Sequence, residues 1–226
     1  MLRYIAFLAL LLAGCARYDP EHMERITRGA EQWNRWRQEN PLIKPNLAGA
    51  KFYKANFEGL NLSGADFSGA EAAYSSFNGA NLEGAIFEKA YLQGASFNHA
   101  NLAKSNFYRA FAYGTNFRNT NLTGAEFKRA DLEMAGFYKA RLQGAHLDNA
   151  LLAGADFYTT DLRQASLRQA NLQNAYFSGS DLTSADLSNA IVTGAYLVDV
   201  NFQSTKLDGV KLKEATFKKP RNLIER

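Results

Sequence analysis

The sequence predicts an all-β solenoid, because two periodicities run through most of its 226 residues. Leu or Phe recurs at every fifth position from Leu47 to Phe217, and the exceptions are Ala72, Ala112 and Val192. A small residue, usually Ala, stands two positions earlier, and Asn or Asp often lies between the two. A second period of twenty residues indicates that four five-residue repeats complete one coil, since stacked coils place like residues on like.

The twenty-residue period is clearest in two series of large apolar residues, and each series predicts one inner face. One series is Phe57, Phe77, Phe97, Phe117, Phe137, Phe157 and Phe177, and the other is Leu62, Leu82, Leu102, Leu122, Leu142, Leu162 and Leu182. Side chains alternate in direction along an extended chain, so the Leu or Phe and the residue two before it should point inward. The outward series is expected to stack amide on amide or to bond nearby turn backbone, and it comprises Asn61, Asn81, Asn101 and Asn121.

The five-residue motif, as in Ala65-Asp66-Phe67 and Ala80-Asn81-Leu82, resembles the pentapeptide-repeat family over about three quarters of the chain. The resemblance implies a right-handed quadrilateral parallel β-helix, here of about nine coils. At about 4.8 Å per coil the rod would be roughly 40 Å long. Glycines such as Gly64 and Gly79 recur at turn positions and are expected to form the corners.

The first fifteen residues predict export. Arg3 supplies a positive charge, and the apolar run from Tyr4 to Leu12 is too short to span a bilayer. Leu12-Ala13-Gly14-Cys15 resembles the bacterial lipoprotein signal, in which the cysteine is lipidated and begins the mature chain. The alternative is an ordinary secretory signal that contains a cysteine. In the lipoprotein sorting rule an Asp after the cysteine retains the protein at the inner membrane, so Ala16 implies outer-membrane delivery, with the protein facing the periplasm.

The predicted organisation has five parts. They are a signal peptide (1–14), a lipidated tether (15–18), a capping helix and linker (19–45), the β-helix (46–219) and a tail (220–226). Asp19-Pro20-Glu21 favours a helix start and Asn40-Pro41 a stop, which leaves room for one helix of about five turns. Its apolar stripe would be Met23, Ile26, Ala30 and Trp33. Residues 32–41 resemble the leader that precedes pentapeptide repeats, which is expected to close the open end.

The composition does not indicate catalysis. With a single cysteine, neither an intramolecular disulfide nor a cysteine metal site can form. His22, His99 and His146 fall on different parts of the fold and are interpreted as surface residues, and the carboxylates lie mostly at outward positions. We therefore expect no enzyme activity, no cofactor and no metal. The 26 basic against 22 acidic side chains predict a mixed surface rather than a nucleic-acid footprint.

Two outward clusters are candidate binding sites. Several rings map to one side of the first four coils and suit a protein or sugar partner, namely Tyr53, Tyr74, Tyr91, Phe111 and Tyr113. The alternative is that these rings fill space left by Ala72 and Ala112. The second cluster is a column of Lys89, Arg109 and Arg129, which would suit an anionic partner such as lipopolysaccharide unless Glu88 and Glu126 offset it.

These observations predict a lipid-anchored, non-catalytic scaffold of the cell envelope with a protein partner of unknown identity. Some pentapeptide-repeat proteins imitate duplex DNA and protect a topoisomerase. That alternative requires a strongly acidic rod, whereas this chain is mildly basic and carries an export signal. A binder of anionic envelope components is a second alternative, and an end-to-end homodimer is left open.

Overall fold

The structure is a computed structural model that describes residues 17–223. Cys15 and the predicted signal peptide lie outside the described residues. In chain order the regular elements are α1 (Pro20–Ile26), α2 (Ala30–Glu39), β1 (Tyr196–Val198), a short 3-10 helix (Leu212–Glu214) and β2 (Thr216–Lys218). The remaining repeats are joined by single parallel bridges rather than by long strands.

Each bridge joins residues that are twenty positions apart. In the first coil Asn46 pairs with Asp66, Lys51 with Glu71, Asn56 with Ser76 and Asn61 with Asn81, all in parallel. Four bridges per coil make a four-sided parallel β-helix, which confirms the predicted arrangement of four repeats in each coil. We number its faces in chain order by the inward residue of each, so that face 1 contains Leu47, face 2 Phe52, face 3 Phe57 and face 4 Leu62.

The core consists of the predicted inward residues. From Leu47 to Phe202 every fifth residue is buried, and nearly all residues two positions before them are buried as well. On faces 1 and 3 the Phe rings form stacks along the rod, as for Phe77 and Phe97 at a centroid distance of 4.6 Å. Neighbouring stacks meet edge to face, as for Phe77 and Phe87 at 5.8 Å. The interior is therefore a continuous set of ring contacts rather than a loose apolar fill.

The corner after each inward residue has a left-handed backbone. Gly64 and Gly79 adopt φ values of 66° and 63°, as the turn prediction requires. Many corners have side chains instead, including Lys89 at φ 55° and Asn119 at φ 54°. A left-handed conformation costs a non-glycine residue about 1–2 kcal/mol, so the inter-coil ladder must stabilise these corners.

The asparagine column on face 4 forms the predicted amide ladder. The Nδ2 atoms of Asn81, Asn101 and Asn121 each donate to the Oδ1 of the asparagine one coil earlier, at 3.5, 3.2 and 2.9 Å. The same oxygens also accept backbone N–H groups two residues on, as from Ala103 to Asn101 at 3.3 Å. Both expected modes therefore operate together.

The helical segment differs from the prediction of one continuous helix. Gly29, at φ 97°, separates α1 from α2, and Asp19 caps α1 by accepting the N–H of Glu21 at 2.8 Å. Ile26 and Trp33 are buried as predicted, but Ala30 is exposed because the break rotates the second helix. His22 and Arg37 are also buried, although the predicted apolar stripe did not include them.

Polar contacts attach both helices to the first coil. The backbone N–H of Asn46 donates to Nδ1 of His22 at 3.1 Å, and the indole of Trp33 donates to the carbonyl of Asn61 at 2.9 Å. Arg37 is only 3% exposed and donates to the carbonyls of Ile43 and Ser63. Burial lowers the pKa of the Arg37 guanidinium, because a charged group loses its hydration there, and the side chain forms no ion pair with a carboxylate among residues 17–223.

The C-terminal end is less regular than the predicted range of 46–219 implies. After Phe202 the inward residues Leu207, Leu212 and Phe217 are only partly buried, and the short 3-10 helix replaces a bridge. They line a depression of about 840 Å³ that opens at the end of the rod. No further coil within the described residues covers this apolar surface.

Candidate binding surface

The five predicted aromatic residues lie together on face 2 and are exposed. Their exposed fractions range from 46% to 63% for Tyr53, Tyr74, Tyr91, Phe111 and Tyr113. Tyr91 and Phe111 are bridge partners whose rings stack at 4.9 Å, and Tyr53 meets Tyr74 edge-on at 5.8 Å. Four of these rings occupy positions directly beside an inward residue, so the alternating directions of side chains along an extended segment place them outward. The fifth, Tyr74, stands at a left-handed corner with φ 59°.

The rings do not fill the core beside the two small inward residues. Ala72 and Ala112 are fully buried, whereas about half of each ring faces solvent. The ring of Tyr74 lies across the corner at Gly94, where a Cβ atom would come within 2.7 Å of it. The geometry thus favours a surface role for the five rings over the space-filling alternative.

The apolar surface extends beyond the predicted residues. Met134, Leu151 and Ile191 are also exposed on face 2, with exposed fractions between 44% and 58%. The exposed large apolar residues of the described solenoid all lie on face 2 or on neighbouring face 3. Over the same eight coils, face 1 instead has ten charged residues between 46 and 189, against five on face 2 between 51 and 194. The rod is therefore two-sided, with adjoining apolar faces and a charged face.

Face 3 contains tyrosines that the sequence interpretation missed. Tyr138 stacks on Tyr158 at 5.7 Å and Tyr176 on Tyr196 at 4.8 Å, with interplanar angles of 7° and 4°. Each pair is separated by twenty residues, so the period that identified the core could also have identified these pairs.

The predicted cationic column is present at successive corners of face 1, but two of its three side chains contact a neighbouring carboxylate or aromatic ring. Lys89 forms an ion pair with Glu88 at 2.9 Å, and the guanidinium of Arg109 lies over the ring of Tyr108 at 5.3 Å. Glu126 pairs with Lys128 at 3.1 Å and not with Arg129. Glu88 pairs with a member of the column, Lys89, as predicted. Glu126, which was expected to offset the charge of Arg129, pairs with Lys128 instead.

The histidines and carboxylates do not converge. His99 and His146 are exposed, but His22 is buried, so its interpretation as a surface residue was wrong. Between residues 17 and 223, no three His, Cys, Asp or Glu side chains are placed to hold a metal ion. Within that same range no helix is long and apolar enough to cross a membrane.

The most perturbed carboxylates belong to surface pairs. Arg163 hydrogen-bonds to Asp161 through Nε and Nη2, at 2.8 and 2.7 Å, and these bonds lower the pKa of the Asp161 carboxyl against the opposing effect of its partial burial. Burial also opposes the shift at Asp186, where hydrogen bonds from Ser188 and the charges of Lys206 and Arg168 lower the pKa. Both carboxylates are thus paired with neighbouring side chains on the outer surface of the rod.

Comparison with protein-family models identifies the repeats. Three models of pentapeptide repeats match residues 52–96, 80–157, and 160–197 with 180–218, which together exceed two thirds of the chain. The chain belongs to the pentapeptide-repeat family. Proteins of this family are in general structural or binding proteins rather than enzymes. No curated protein sequence matches the chain.

Several solved pentapeptide-repeat structures resemble this chain. One is HetL from the cyanobacterium Nostoc sp. strain PCC 7120, a protein involved in heterocyst differentiation regulation. HetL is 28% identical to this chain with a TM-score of 0.57, and the alignment covers 82% of this chain and 94% of HetL. Trypsin-treated QnrB1, a plasmid-mediated fluoroquinolone resistance protein, is 21% identical with a TM-score of 0.42, covering 78% and 86%. A thylakoid-lumen protein from Arabidopsis thaliana is 31% identical over 50% of this chain and 71% of its own, with a TM-score of 0.24. The solved pentapeptide-repeat proteins are right-handed quadrilateral β-helices, which supports that part of the fold prediction.

Proposed function

We propose that this pentapeptide-repeat protein is a lipid-anchored, non-catalytic scaffold of the bacterial cell envelope whose face 2 binds a protein partner. The observation that carries the proposal is the uneven distribution of exposed apolar residues around the rod. Eight of them lie on face 2, from Tyr53 to Ile191. An exposed apolar surface of this extent on a soluble rod is typical of a binding site, and aromatic residues dominate the energetics of protein interfaces.

The rigidity of the rod suits a scaffold. Except at the C-terminal end, each coil is held to the next by four bridges, and stacked inward Phe rings on faces 1 and 3 join many of the coils, so outward side chains are displayed at fixed intervals. We propose that α1 and α2 cap the N-terminal end of about nine coils. The contacts of His22, Trp33 and Arg37 with the first coil support this role.

We propose that the anchor is a lipid on Cys15, in the outer membrane and facing the periplasm. Its attachment point would be at the N-terminal end of the rod. The carbonyl of Arg17, two residues later, accepts a hydrogen bond from Asn46 at 2.9 Å, and its side chain packs against the corner glycines Gly49 and Gly69. A lipid attached there would hold the N-terminal end of the rod at the membrane, whereas most of the exposed apolar residues of face 2, from Tyr91 to Ile191, lie in later coils.

The test is the double variant Tyr91→Ser, Tyr113→Ser, compared with Glu83→Ser, Arg141→Ser on face 4. Because both rings are about half exposed, the melting temperature should change little. Partner capture from the membrane fraction should fall strongly for the face 2 variant alone, since aromatic anchors often contribute 2 kcal/mol or more each. A face 2 variant that melts early but still captures all partners would support the space-filling alternative instead.

A second candidate is self-association through the open C-terminal end. The depression lined by Leu207, Leu212 and Phe217 presents the cross-section of the core, which a second copy could cover in an end-to-end homodimer. Topoisomerase protection by DNA mimicry is disfavoured by the mixed charge of 26 basic and 22 acidic residues. Binding of an anionic envelope component at Lys89, Arg109 and Arg129 is disfavoured by the engaged charges of that column.

A further inference from the structure

One outward column on face 3 forms a stack that begins with a guanidinium. The column contains Arg118, Tyr138, Tyr158, Ser178 and Val198, each twenty residues after the last. The guanidinium of Arg118 lies over the ring of Tyr138 at 4.6 Å. The ring of Tyr138 is in turn parallel to that of Tyr158 at 5.7 Å. Three planar groups therefore succeed one another at the spacing of the coils.

The stack ends at Ser178, whose side chain is too short to cover a ring. Tyr158 is 47% exposed, and the ring face that points away from Tyr138 receives no partner from its own column. The next long side chain is that of Val198, two coils beyond Tyr158 and therefore about 10 Å away. A gap of this size accepts one planar group at stacking distance from the ring.

The sides of this gap favour a cation. Tyr176, two residues before Ser178, is 46% exposed and adds a second ring beside the gap. Asp156 is the bridge partner of Tyr176, and its Oδ1 accepts the backbone N–H of Tyr158 at 2.9 Å. Within residues 17–223 the Asp156 carboxylate forms no ion pair, so it remains available to a charged ligand.

We propose that the gap bounded by Tyr158, Tyr176 and Asp156 binds an arginine side chain of a protein or peptide partner. A guanidinium is the planar cation of proteins, and it can stack on a ring while donating hydrogen bonds to a carboxylate. Arg118 lies over the ring of Tyr138 at the opposite end of the same stack, so the rod already contains the stacking part of the proposed contact. Lysine has no plane to stack, and a neutral planar group can donate hydrogen bonds to Asp156 but lacks the positive charge that strengthens them. The site is on face 3, so it stands or fails separately from the face 2 proposal.

The test is an NMR titration of the full chain with N-acetyl-arginine methylamide. The protein is labelled with ¹³C at its tyrosines and kept in a nonionic detergent. The lysine and citrulline analogues serve as matched probes, the second because citrulline is planar but uncharged. We expect saturable shifts of the Tyr158 ring resonances with the arginine probe. Binding of the lysine and citrulline probes should be weaker by about fivefold or more, since one stacked, charge-assisted contact is worth about 1 kcal/mol.

Three variants separate this site from general surface binding. Asp156→Asn keeps an oxygen for the Tyr158 N–H but removes the charge. Tyr158→Leu removes the stacking face, and its titration is followed at the ring resonances of Tyr176, which are recorded for the wild type as well. Each variant should abolish the preference for arginine. Ser178→Arg should shift the Tyr158 resonances without any probe and block the titration, and Arg118 shows that its column accommodates arginine. Tyr91→Leu on face 2 is the control and should bind the arginine probe as the wild type does. Equal responses to the arginine and lysine probes, or unchanged arginine binding in Tyr158→Leu, would overturn the proposal.

Discussion

Phe117→Ala should be among the most destabilising single substitutions in the rod. The Phe117 ring is fully buried and is stacked between Phe97 and Phe137, at centroid distances of 5.2 and 5.1 Å. It also meets Phe107 and Phe127 edge-on, both at 5.7 Å. Removing the ring therefore disrupts four aromatic contacts at once.

The magnitude follows from how little the site can relax. Truncation of a buried Phe to Ala costs about 3–5 kcal/mol, and each aromatic pair adds about 0.5–1.5 kcal/mol beyond its buried area. The backbone cannot close over the cavity, because the N–H of Phe117 is held to the carbonyl of Gly136 at 2.7 Å in the inter-coil ladder. We expect a loss near the upper end, about 5 kcal/mol.

Urea unfolding followed by circular dichroism measures this loss, with substitutions of Asn119 as matched controls in the same repeat. Asn119 is exposed but has a left-handed backbone at φ 54°, so Asn119→Ala should cost about 1 kcal/mol and Asn119→Gly almost nothing. The expected order is therefore Phe117→Ala far above Asn119→Ala, and Asn119→Ala above Asn119→Gly. If Phe117→Ala lost no more than Asn119→Ala, the assignment of inward and outward residues would be refuted.

Two further predictions concern the anchor and the acid response. Wild-type cells fed a fatty-acid analogue should label the protein and Cys15→Ser should not; equal labelling of the two would exclude lipidation at this cysteine. Because the pKa of Asp161 is lowered in the folded state, its pairing with Arg163 stabilises the protein above the unfolded carboxyl pKa of about 4. That contribution is lost as the pH falls through the lower folded pKa. The melting temperature of the wild type should therefore drop between pH 5 and 2, roughly the range in which such a carboxyl titrates, and Asp161→Asn and Arg163→Gln should each show a smaller drop. Curves parallel to the wild type would show that the pair contributes nothing.

Much of the fold could be predicted from the sequence, because a solenoid repeats one local rule. Five-residue and twenty-residue periods suffice to place Phe117 inward and to stack Asn101 on Asn81. The aromatic residues of face 2 follow from the same count, since Tyr91 and Phe111 are twenty residues apart and both precede an inward residue. Where the structure obeys the period, position in the repeat determines direction.

The features that the sequence did not predict depend on contacts outside the repeat. A glycine within a helix costs only about 1 kcal/mol, so Gly29 does not by itself indicate a break. The break arises where His22 and Trp33 both contact the first coil, through Asn46 and Asn61. These long-range contacts decide the angle between α1 and α2.

The repeat period also did not predict which basic residue pairs with Glu126. Glu126 stands near both Lys128 and Arg129 in sequence. Lys128 lies two residues along the same extended segment and therefore on the same side, whereas Arg129 turns away at the left-handed corner with φ 57°. The sequence shows that charges are close, but the backbone conformation at the corner decides which of them meet.

The measurement that tests the central claim most directly is site-specific photo-crosslinking in living cells. A photoreactive phenylalanine analogue at Tyr91 on face 2 replaces one exposed ring with another, and the same analogue at exposed Glu83 on face 4 is the matched control. If face 2 binds a protein partner, the Tyr91 position should give a discrete crosslinked adduct of higher mass and the Glu83 position should not. Adducts of the same kind from both positions, or from neither, would contradict a binding role for face 2.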